Sequence, residues 1–225
     1  MSATLTKLFE NGQILQAIWD TLYMTGLSTL VSYLLGLPLG VLLFLTQNKG
    51  LTPCKPVNLI LGFIVNLIRS IPFIILTFAV FPLSKAIAGT SLGNGAMIVT
   101  LVIGATPYIA RMVESSLLEV DNGVIEASES MGASTLQIVF KVLIPEAKPS
   151  LITGAIISAV TVLGYSAMSS TIGGGGLGAI AYTFGYQASE DGVVWICVAF
   201  TVIIVQIMQA VGTLIVKKTD KRIKK

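Results

Sequence analysis

Residues 21–48 read TLYMTGLSTLVSYLLGLPLGVLLFLTQN, and no residue in this stretch carries a charge. A helix of about 20 apolar residues is long enough to cross the hydrocarbon core of a membrane. Further long uncharged stretches occupy residues 86–110, 149–189 and 192–216. Inside a bilayer every backbone polar group must be bonded within the protein, and a helix bonds them along its own length. These stretches therefore predict an all-α integral membrane protein.

The composition supports this interpretation. Hydrophobic residues make up 54% of the 225 positions and charged residues 11%, and the mean hydropathy is +0.86. An ordinary soluble domain is about 25% charged, so these charges are too few to cover a water-facing surface of this size. The chain has no histidine and only two cysteines, Cys54 and Cys197. We therefore expect no zinc site, no haem site and no disulfide.

A fifth apolar stretch lies at about 57–82, although Arg69 and Pro72 interrupt it. Glycine and proline are tolerated in membrane helices more readily than in soluble ones. The sequence therefore predicts five transmembrane helices, and no further apolar run supports a sixth. Their expected limits are about 19–46, 57–82, 93–116, 149–171 and 193–216.

The basic residues predict the orientation, because cytoplasmic loops carry an excess of lysine and arginine. In a five-span chain most of them fall on one side: Lys49, Lys55, Lys141, Lys148, Lys217, Lys218, Lys221, Arg222, Lys224 and Lys225. This distribution places the N-terminus outside and the C-terminus, with the basic tail 213–225, in the cytoplasm.

The N-terminal segment 1–16 is mixed in character. Apolar residues such as Leu5, Leu8 and Ile14 alternate with polar ones. The pattern is typical of an amphipathic helix lying at the outer membrane interface. A frayed terminus explains it equally well.

The segment between the third and fourth spans, Asp121–Pro149, reads DNGVIEASESMGASTLQIVFKVLIPEAKP. Asp121 or Asn122 can cap a first short helix. Glu126 then lies in its early turns, where a negative charge suits the helix dipole. Gly132 can end that helix by adopting a left-handed conformation.

A second helix is predicted to start at Ser134, because Ser134 and Gln137 fit the capping box S-x-x-Q. Pro145 is predicted to end it. Between them four residues at helical spacing predict one continuous apolar face: Leu136, Val139, Phe140 and Leu143.

Two short helices joined by a glycine form a compact unit, which we call the interhelical segment (residues 121–145). Its apolar face and its acid at Glu126 can lie in a groove on a partner protein. Alternatively, the apolar face packs on this chain's own helices or on lipid headgroups.

The sequence of this segment resembles the EAA loop of ABC importer permeases. Glu126-Ala127-Ser128 is followed by Gly132 and then by Ile144-Pro145, and Ser128 stands where the family usually has alanine. In that family the loop docks on a separate ATP-hydrolysing subunit and passes its closure to the membrane helices. The resemblance implies a coupling role for seven residues: Glu126, Ala127, Ser128, Gly132, Leu136, Phe140 and Pro145.

Four other stretches are similar to the methionine permeases of that family: residues 69–76 (RSIPFIIL), 109–114 (IARMVE), 164–168 (GYSAM) and 175–178 (GGLG). The resemblance covers about residues 17–212. It implies a type I ABC permease fold in the bacterial cytoplasmic membrane, with a homodimer whose twofold axis holds the translocation pathway for methionine. It also implies two ATP-binding cassette subunits below and an extracytoplasmic methionine-binding protein outside. Another solute, such as a different amino acid or an osmoprotectant, stays open, as does a self-contained channel or secondary carrier.

Several membrane residues are candidates for the pathway or its gate. Arg69 in mid-helix is costly in a bilayer, so it either faces the pathway or snorkels to the cytoplasmic interface. A bend is expected at Pro72. The stretch 165–171 is small and polar, which suits either a water-lined path or close helix packing. The candidates are Arg69, Pro72, Tyr165, Ser166 and Met168, with Met168 as a flexible apolar plug.

The glycine-rich stretch 173–178 contains G-x-G-x-x-G, but no predicted strand precedes it, so it is not a dinucleotide-binding fingerprint. The phosphate-binding pattern G-x-x-x-x-G-K-[ST] does not occur in the sequence. We therefore expect ATP and Mg²⁺ on the partner ATPase and no enzymatic activity in this chain. We also expect no nucleic-acid partner, and the bilayer as its immediate surroundings.

Overall fold

The structure, a computed structural model, describes residues 3–219, and that part of the chain is helical without a β-strand. Lys221, Arg222, Lys224 and Lys225, which contribute to the predicted orientation, lie outside the described residues. The α-helices are α1 (Ala3–Glu10), α2 (Gln13–Leu45), α3 (Lys55–Arg69), α4 (Phe73–Ala79), α5 (Phe81–Ala88), α6 (Gly93–Leu118), α7 (Asn122–Ser130), α8 (Thr135–Ile138), α9 (Ile144–Ser166), α10 (Leu177–Ile180) and α11 (Asp191–Thr219).

Three stretches have other helical geometries. Val139–Leu143 and Ala181–Gln187 form π-helical turns, and Ala167–Ile172 forms a 3₁₀ helix. As a result α8, the first π turn, α9 and the 3₁₀ helix make one continuous helical run, Thr135–Ile172. Helix α5 was not predicted from the sequence, and neither were the helical turns that make up most of residues 177–187.

Within residues 3–219, four helices are long and apolar enough to cross a membrane: α2, α6, α11 and the run Thr135–Ile172. The pair α3 and α4 makes a fifth span if it is counted as one broken span. The prediction of a single helix over 57–82 is therefore wrong. The chain breaks at Ser70–Pro72, because Pro72 has no N–H to continue the ladder and the residue before a proline avoids the helical conformation.

The described residues form two compact units. The first unit contains residues 3–31, Ile71–Ala105 and Ala159–Ala210. The second unit contains Ser32–Ser70, Thr106–Ser158 and residues 211–219. The interhelical segment belongs to the second unit.

The core of the first unit includes the N-terminal helix. Leu5 and Leu8 of α1 and Ile14 of α2 are buried in a cluster with residues of α9, α10 and α11: Leu163, Leu177, Ile180, Val193, Cys197 and Ile204. The Thr4 hydroxyl donates to Glu190 Oε1 at 3.0 Å. The start of the chain is therefore a packed helix whose apolar face is covered by protein.

The second unit has its own small core of Leu43, Val65 and Ala110, one residue from each of α2, α3 and α6. Gly40 of α2 lies directly against α6, where a Cβ would overlap Ala110 and Val113. Small residues at such contacts let membrane helices approach closely. This contact fixes α2 against α6 in the unit that carries the interhelical segment.

Candidate functional site

The interhelical segment begins at a capped helix end. The Asp121 carboxylate accepts a hydrogen bond from the Gly123 N–H at 2.6 Å and so satisfies one of the free amides at the start of α7. Of the two predicted caps, Asp121 is the one used. The cap sets where α7 starts and thus which of its residues face outward.

Gly132 ends α7 as predicted. Its φ is +79°, which glycine adopts at little cost. The Ala133 N–H donates to Ser128 O at 3.1 Å and the Gly132 N–H donates to Glu129 O at 2.8 Å. This pair of bonds is the Schellman arrangement, which satisfies carbonyls left free at a helix end. The left-handed glycine thus reverses the chain between α7 and α8.

The predicted capping box at α8 is also present. The Ser134 N–H donates to Gln137 Oε1 at 2.9 Å, and the Gln137 N–H donates to Ser134 Oγ at 3.4 Å. Both bonds satisfy amides that the first helical turn leaves free. Local hydrogen bonds therefore fix both ends of the connection between α7 and α8.

Pro145 does not end the second helix, which corrects the prediction. The helical run passes through it, directly after the π turn Val139–Leu143. The Ile144 N–H donates to Val139 O, five residues earlier. In this wider turn the missing N–H of a proline is accommodated without breaking the helix.

The predicted continuous apolar face is split in two, which is a second correction. Leu136 and Phe140 are 69% and 66% exposed, whereas Val139 and Leu143 are buried. A π turn contains more residues than an α turn, so it rotates later positions around the axis. We call the outward set the exposed apolar face; it consists of Val124, Ala127, Met131, Leu136 and Phe140.

The residues with a predicted coupling role divide in the same way. Six are exposed: Glu126, Ala127, Gly132, Leu136, Phe140 and Pro145. Ser128 is buried, and its hydroxyl donates to Val124 O at 2.8 Å within its own helix. A small buried side chain is what this position requires, and this explains why serine can stand where related loops have alanine.

A cleft of about 520 Å³ lies beside α7 in the second unit. One wall is the C-terminal end of α2 and the turn that follows it, and the other is α7 with Leu118. The lining residues are Phe44, Gln47, Lys49, Gly50, Leu51, Leu118, Asn122, Ile125, Glu126 and Glu129.

A polar network lies in the same unit, and we call Gln47, Asn66, Arg111 and Glu114 the Glu114 network. Arg111 Nη1 donates to Glu114 Oε2 at 2.6 Å, and Gln47 Nε2 donates to Glu114 Oε1 at 2.7 Å. Arg111 and Glu114 are spaced i, i+3, which places both side chains on the same side of α6. Gln47 and Asn66 were missed; a buried acid in a membrane helix was the signal that polar partners must come from neighbouring helices.

Arg69 and Pro72 lie at the break in the second span rather than in mid-helix, which corrects the prediction. Arg69 is exposed and is the last residue of α3, where a cation interacts favourably with the helix dipole. Pro72 is the N-cap of α4.

Tyr165, Ser166 and Met168 occupy three different environments in the first unit. The Tyr165 ring stacks on Phe73, with centroids 4.6 Å apart and planes 4° from parallel. Ser166 is buried and donates to Leu163 O at 2.7 Å, so its hydroxyl is used within its own helix. Met168 is 40% exposed. Of the three, Met168 is the best placed to meet a solute or a second chain.

The glycine-rich stretch packs tightly within the first unit. The Gly175 N–H donates to Asn94 Oδ1 at 2.6 Å, and the Leu177 N–H donates to Thr21 Oγ1 at 2.9 Å. A Cβ at Gly178 would overlap the Ala167 carbonyl. These amides bind side chains of α2 and α6, and the glycines provide the room for that close approach.

Comparison with known proteins identifies the class to which this helical arrangement belongs. The sequence profile of the family described as "Binding-protein-dependent transport system inner membrane component" matches residues 36–225. The chain therefore belongs to this family of multi-pass permease subunits of the inner membrane.

Particular relatives match almost end to end. The chain is 45% identical over 209 residues to a probable D-methionine transport system permease protein MetI of Vibrio cholerae, covering 93% of both. It is 46% identical to the methionine import system permease protein MetP of Bacillus subtilis, covering 96% of this chain and 99% of MetP. The predicted resemblance to methionine permeases is confirmed.

Solved structures agree with this assignment. An inward-facing structure of the MetNI methionine ABC transporter superposes with a TM-score of 0.92 at 42% identity, covering 98% of this chain and 100% of that one. A structure of an amino acid ABC transporter has a TM-score of 0.79 at 19% identity and shows the shared fold alone. The predicted type I ABC permease fold is confirmed.

Proposed function

We propose that this chain forms the translocation pathway of an ATP-driven importer that carries methionine across the bacterial inner membrane. Residues 17–212 form its transmembrane domain, with the N-terminus outside. The tail 213–225 lies in the cytoplasm. ATP hydrolysis belongs to a separate subunit.

The exposed apolar face of the interhelical segment carries the coupling part of the proposal. Met131 is 80% exposed and Phe140 is 66% exposed, although Ile125, Ile138 and Leu143 are buried on the opposite side. A helix pair that has its own covered face and a second apolar face in the open is suited to dock on another protein. Glu126 and Glu129 beside that face offer carboxylates to basic groups of the partner.

Methionine as the substrate is supported by the relatives. The identity of 45–46% to two methionine permeases holds over 93–96% of this chain and 93–99% of theirs. A zwitterion with an uncharged side chain requires no cage of buried charges in the pathway, so selectivity can reside in an extracytoplasmic methionine-binding protein.

We propose that two copies of the chain enclose the pathway at their twofold axis. Two ATP-binding cassette subunits, which hold ATP and Mg²⁺, dock below them on the interhelical segments. Within each copy Met168, Arg69 and the helix break at Pro72 are the candidates for the pathway and gate, and Tyr165 positions α4 through its contact with Phe73. Ser166 is buried, and its hydrogen bond to Leu163 O stabilises the turn at residues 165–168.

Reconstitution tests the proposal directly. Proteoliposomes that contain this chain, the ATPase subunit and the binding protein are expected to accumulate labelled methionine only when ATP is supplied on the ATPase side. Unlabelled methionine is expected to compete, whereas betaines and other amino acids compete weakly. Uptake by this chain alone, without ATP, indicates a self-contained carrier and contradicts the proposal; stronger competition by another solute changes the substrate.

A further inference from the structure

The Glu114 network connects α6 to α3 and to the turn that follows α2. Glu114 is 8% exposed, and both of its oxygens are bonded, one by Arg111 and the other by Gln47. A buried acid is stable only when it is paired and hydrogen-bonded. The hydrogen bonds to this buried carboxylate therefore hold the side chains of Arg111 and Gln47 in place.

Arg111 carries the connection from α6 to α3. Its Nη2 donates to Asn66 Oδ1 at 3.2 Å and to Gly62 O at 3.4 Å, while Nη1 binds Glu114. A Cβ at Gly62 would lie 3.3 Å from this nitrogen, so the guanidinium is seated directly on the backbone of α3. A displacement of α6 is thus passed to α3, the helix that ends at Arg69.

Gln47 carries the connection in the other direction, to the turn after α2. The Gly50 N–H donates to Gln47 O at 2.9 Å, and the Thr52 N–H donates to Leu45 O at 3.1 Å. A Cβ at Gly50 would overlap the Leu45 carbonyl. This turn is consequently closed on itself, and the Gln47 side chain fixes it to α6.

The same turn forms one wall of the cleft beside α7. Gln47, Lys49 and Gly50 line one side, and Asn122, Glu126 and Glu129 line the other. Of the four residues of the Glu114 network, Gln47 also lines this cleft. Its hydrogen bond to Glu114 therefore joins one wall of the cleft to α6.

We propose that Gln47 is a positioning residue: its hydrogen bond to Glu114 makes the turn after α2 move together with α6 when displacement of α7 passes along the chain to α6, which it follows directly. The inference rests on the proposed function, since α7 moves in this scheme when the ATPase subunits close. Without the Gln47 side chain the turn after α2 shifts independently of α6. Closure of the ATPase subunits then displaces α6 and α3 less often.

The test measures methionine uptake per ATP hydrolysed by the complete complex in proteoliposomes. For Gln47→Ala we expect this ratio to fall about tenfold, the change that corresponds to loss of one hydrogen bond to a charged group. Gln47→Lys, which can still donate to Glu114, is expected to recover most of the ratio. Asn48→Ala is the matched control, because Asn48 is the adjacent exposed amide, and its ratio is expected to equal that of the wild type.

Rescue by lysine separates positioning from a loss of folded protein, since a merely structural defect lowers the amount of active complex and leaves the ratio unchanged. If Gln47→Ala assembles poorly, Gln47→Met, which keeps the length of the side chain but cannot donate to Glu114, must show the same fall in the ratio. An unchanged ratio in Gln47→Ala, or an equal fall in Asn48→Ala, overturns the inference and leaves the proposed function intact. Wild-type vesicles that show no ATP-dependent uptake overturn both.

Discussion

At the residue scale Gly132 connects backbone geometry to the proposed coupling. Its φ of +79° is unfavourable for residues with a Cβ, although nothing lies within 4 Å of the place a Cβ would take. The cost of a substitution is therefore conformational, about 1–2 kcal/mol for a residue in the left-handed region. For Gly132→Val we expect membrane insertion to be normal, and ATP-dependent uptake to fall severalfold because α7 and α8 change their relative orientation.

Gly132→Asn is the matched control for that prediction. Asparagine tolerates the left-handed conformation better than any β-branched residue does. It is expected to keep most of the uptake, measured in the same vesicles with the amount of inserted protein quantified. Full uptake in Gly132→Val would show that the Schellman turn is not needed for coupling.

Residue-scale features of the interhelical segment were largely predictable. The acidic cap at Asp121, the glycine turn and the Ser134–Gln137 box depend on neighbours within six positions, so the local sequence specifies them. The polar partners of Glu114 and Arg111 were not predictable in this way, because Gln47 comes from the turn after α2 and Asn66 from α3, and only the packing brings them together.

At the element scale the π turn Val139–Leu143 separates two leucines seven positions apart. Leu136 is exposed and Leu143 is fully buried. Leu143→Ala is expected to destabilise the protein by about 2–5 kcal/mol, because it leaves a cavity in a packed interior. It should therefore lower the midpoint temperature of thermal unfolding in detergent.

Leu136→Ala is the same chemical change on the exposed apolar face. We expect the midpoint temperature to stay within error and the affinity for the ATPase subunit to fall by about 1 kcal/mol or more, as for a contact residue in an interface. Binding of the purified subunits to each other measures this. Equal thermal destabilisation by both substitutions would contradict the split of the face into an exposed and a buried part.

The predicted limits of the helices were wrong at two prolines. Pro72 was expected to bend one helix and instead separates two, whereas Pro145 was expected to end a helix and lies inside one. The two outcomes differ because the helix before Pro145 widens into a π turn that tolerates a missing N–H. Whether a helix widens in this way before a proline depends on the packing around it, and the local sequence pattern carries no information on that packing.

At the scale of the whole molecule the orientation is the prediction with the widest consequences. A single cysteine introduced as Glu126→Cys, in a chain with Cys54→Ser and Cys197→Ser, is expected to react with a membrane-impermeant maleimide only from the cytoplasmic side. The reason is that most basic residues flank the spans on that side. Labelling of intact cells against inverted vesicles measures it.

Tyr186→Cys in the same background is the matched control for sidedness. Tyr186 is 76% exposed and lies between the fourth and fifth spans, so it should react from the outside alone. The opposite pattern at the two positions would reverse the orientation and remove the interhelical segment from the reach of a cytoplasmic ATPase.

The helical membrane class, the number of apolar stretches and the caps of the interhelical segment were predictable from the residues alone, because each depends on composition or on residues close together in the chain. The folded chain was needed to show which side of α8 and the π turn faces outward, that Ser128 and Ser166 are buried, and that Glu114 and Arg111 join α6 to α3 and to the turn after α2. Those features depend on which distant helices touch, and that is fixed by packing of the folded chain rather than by any local pattern.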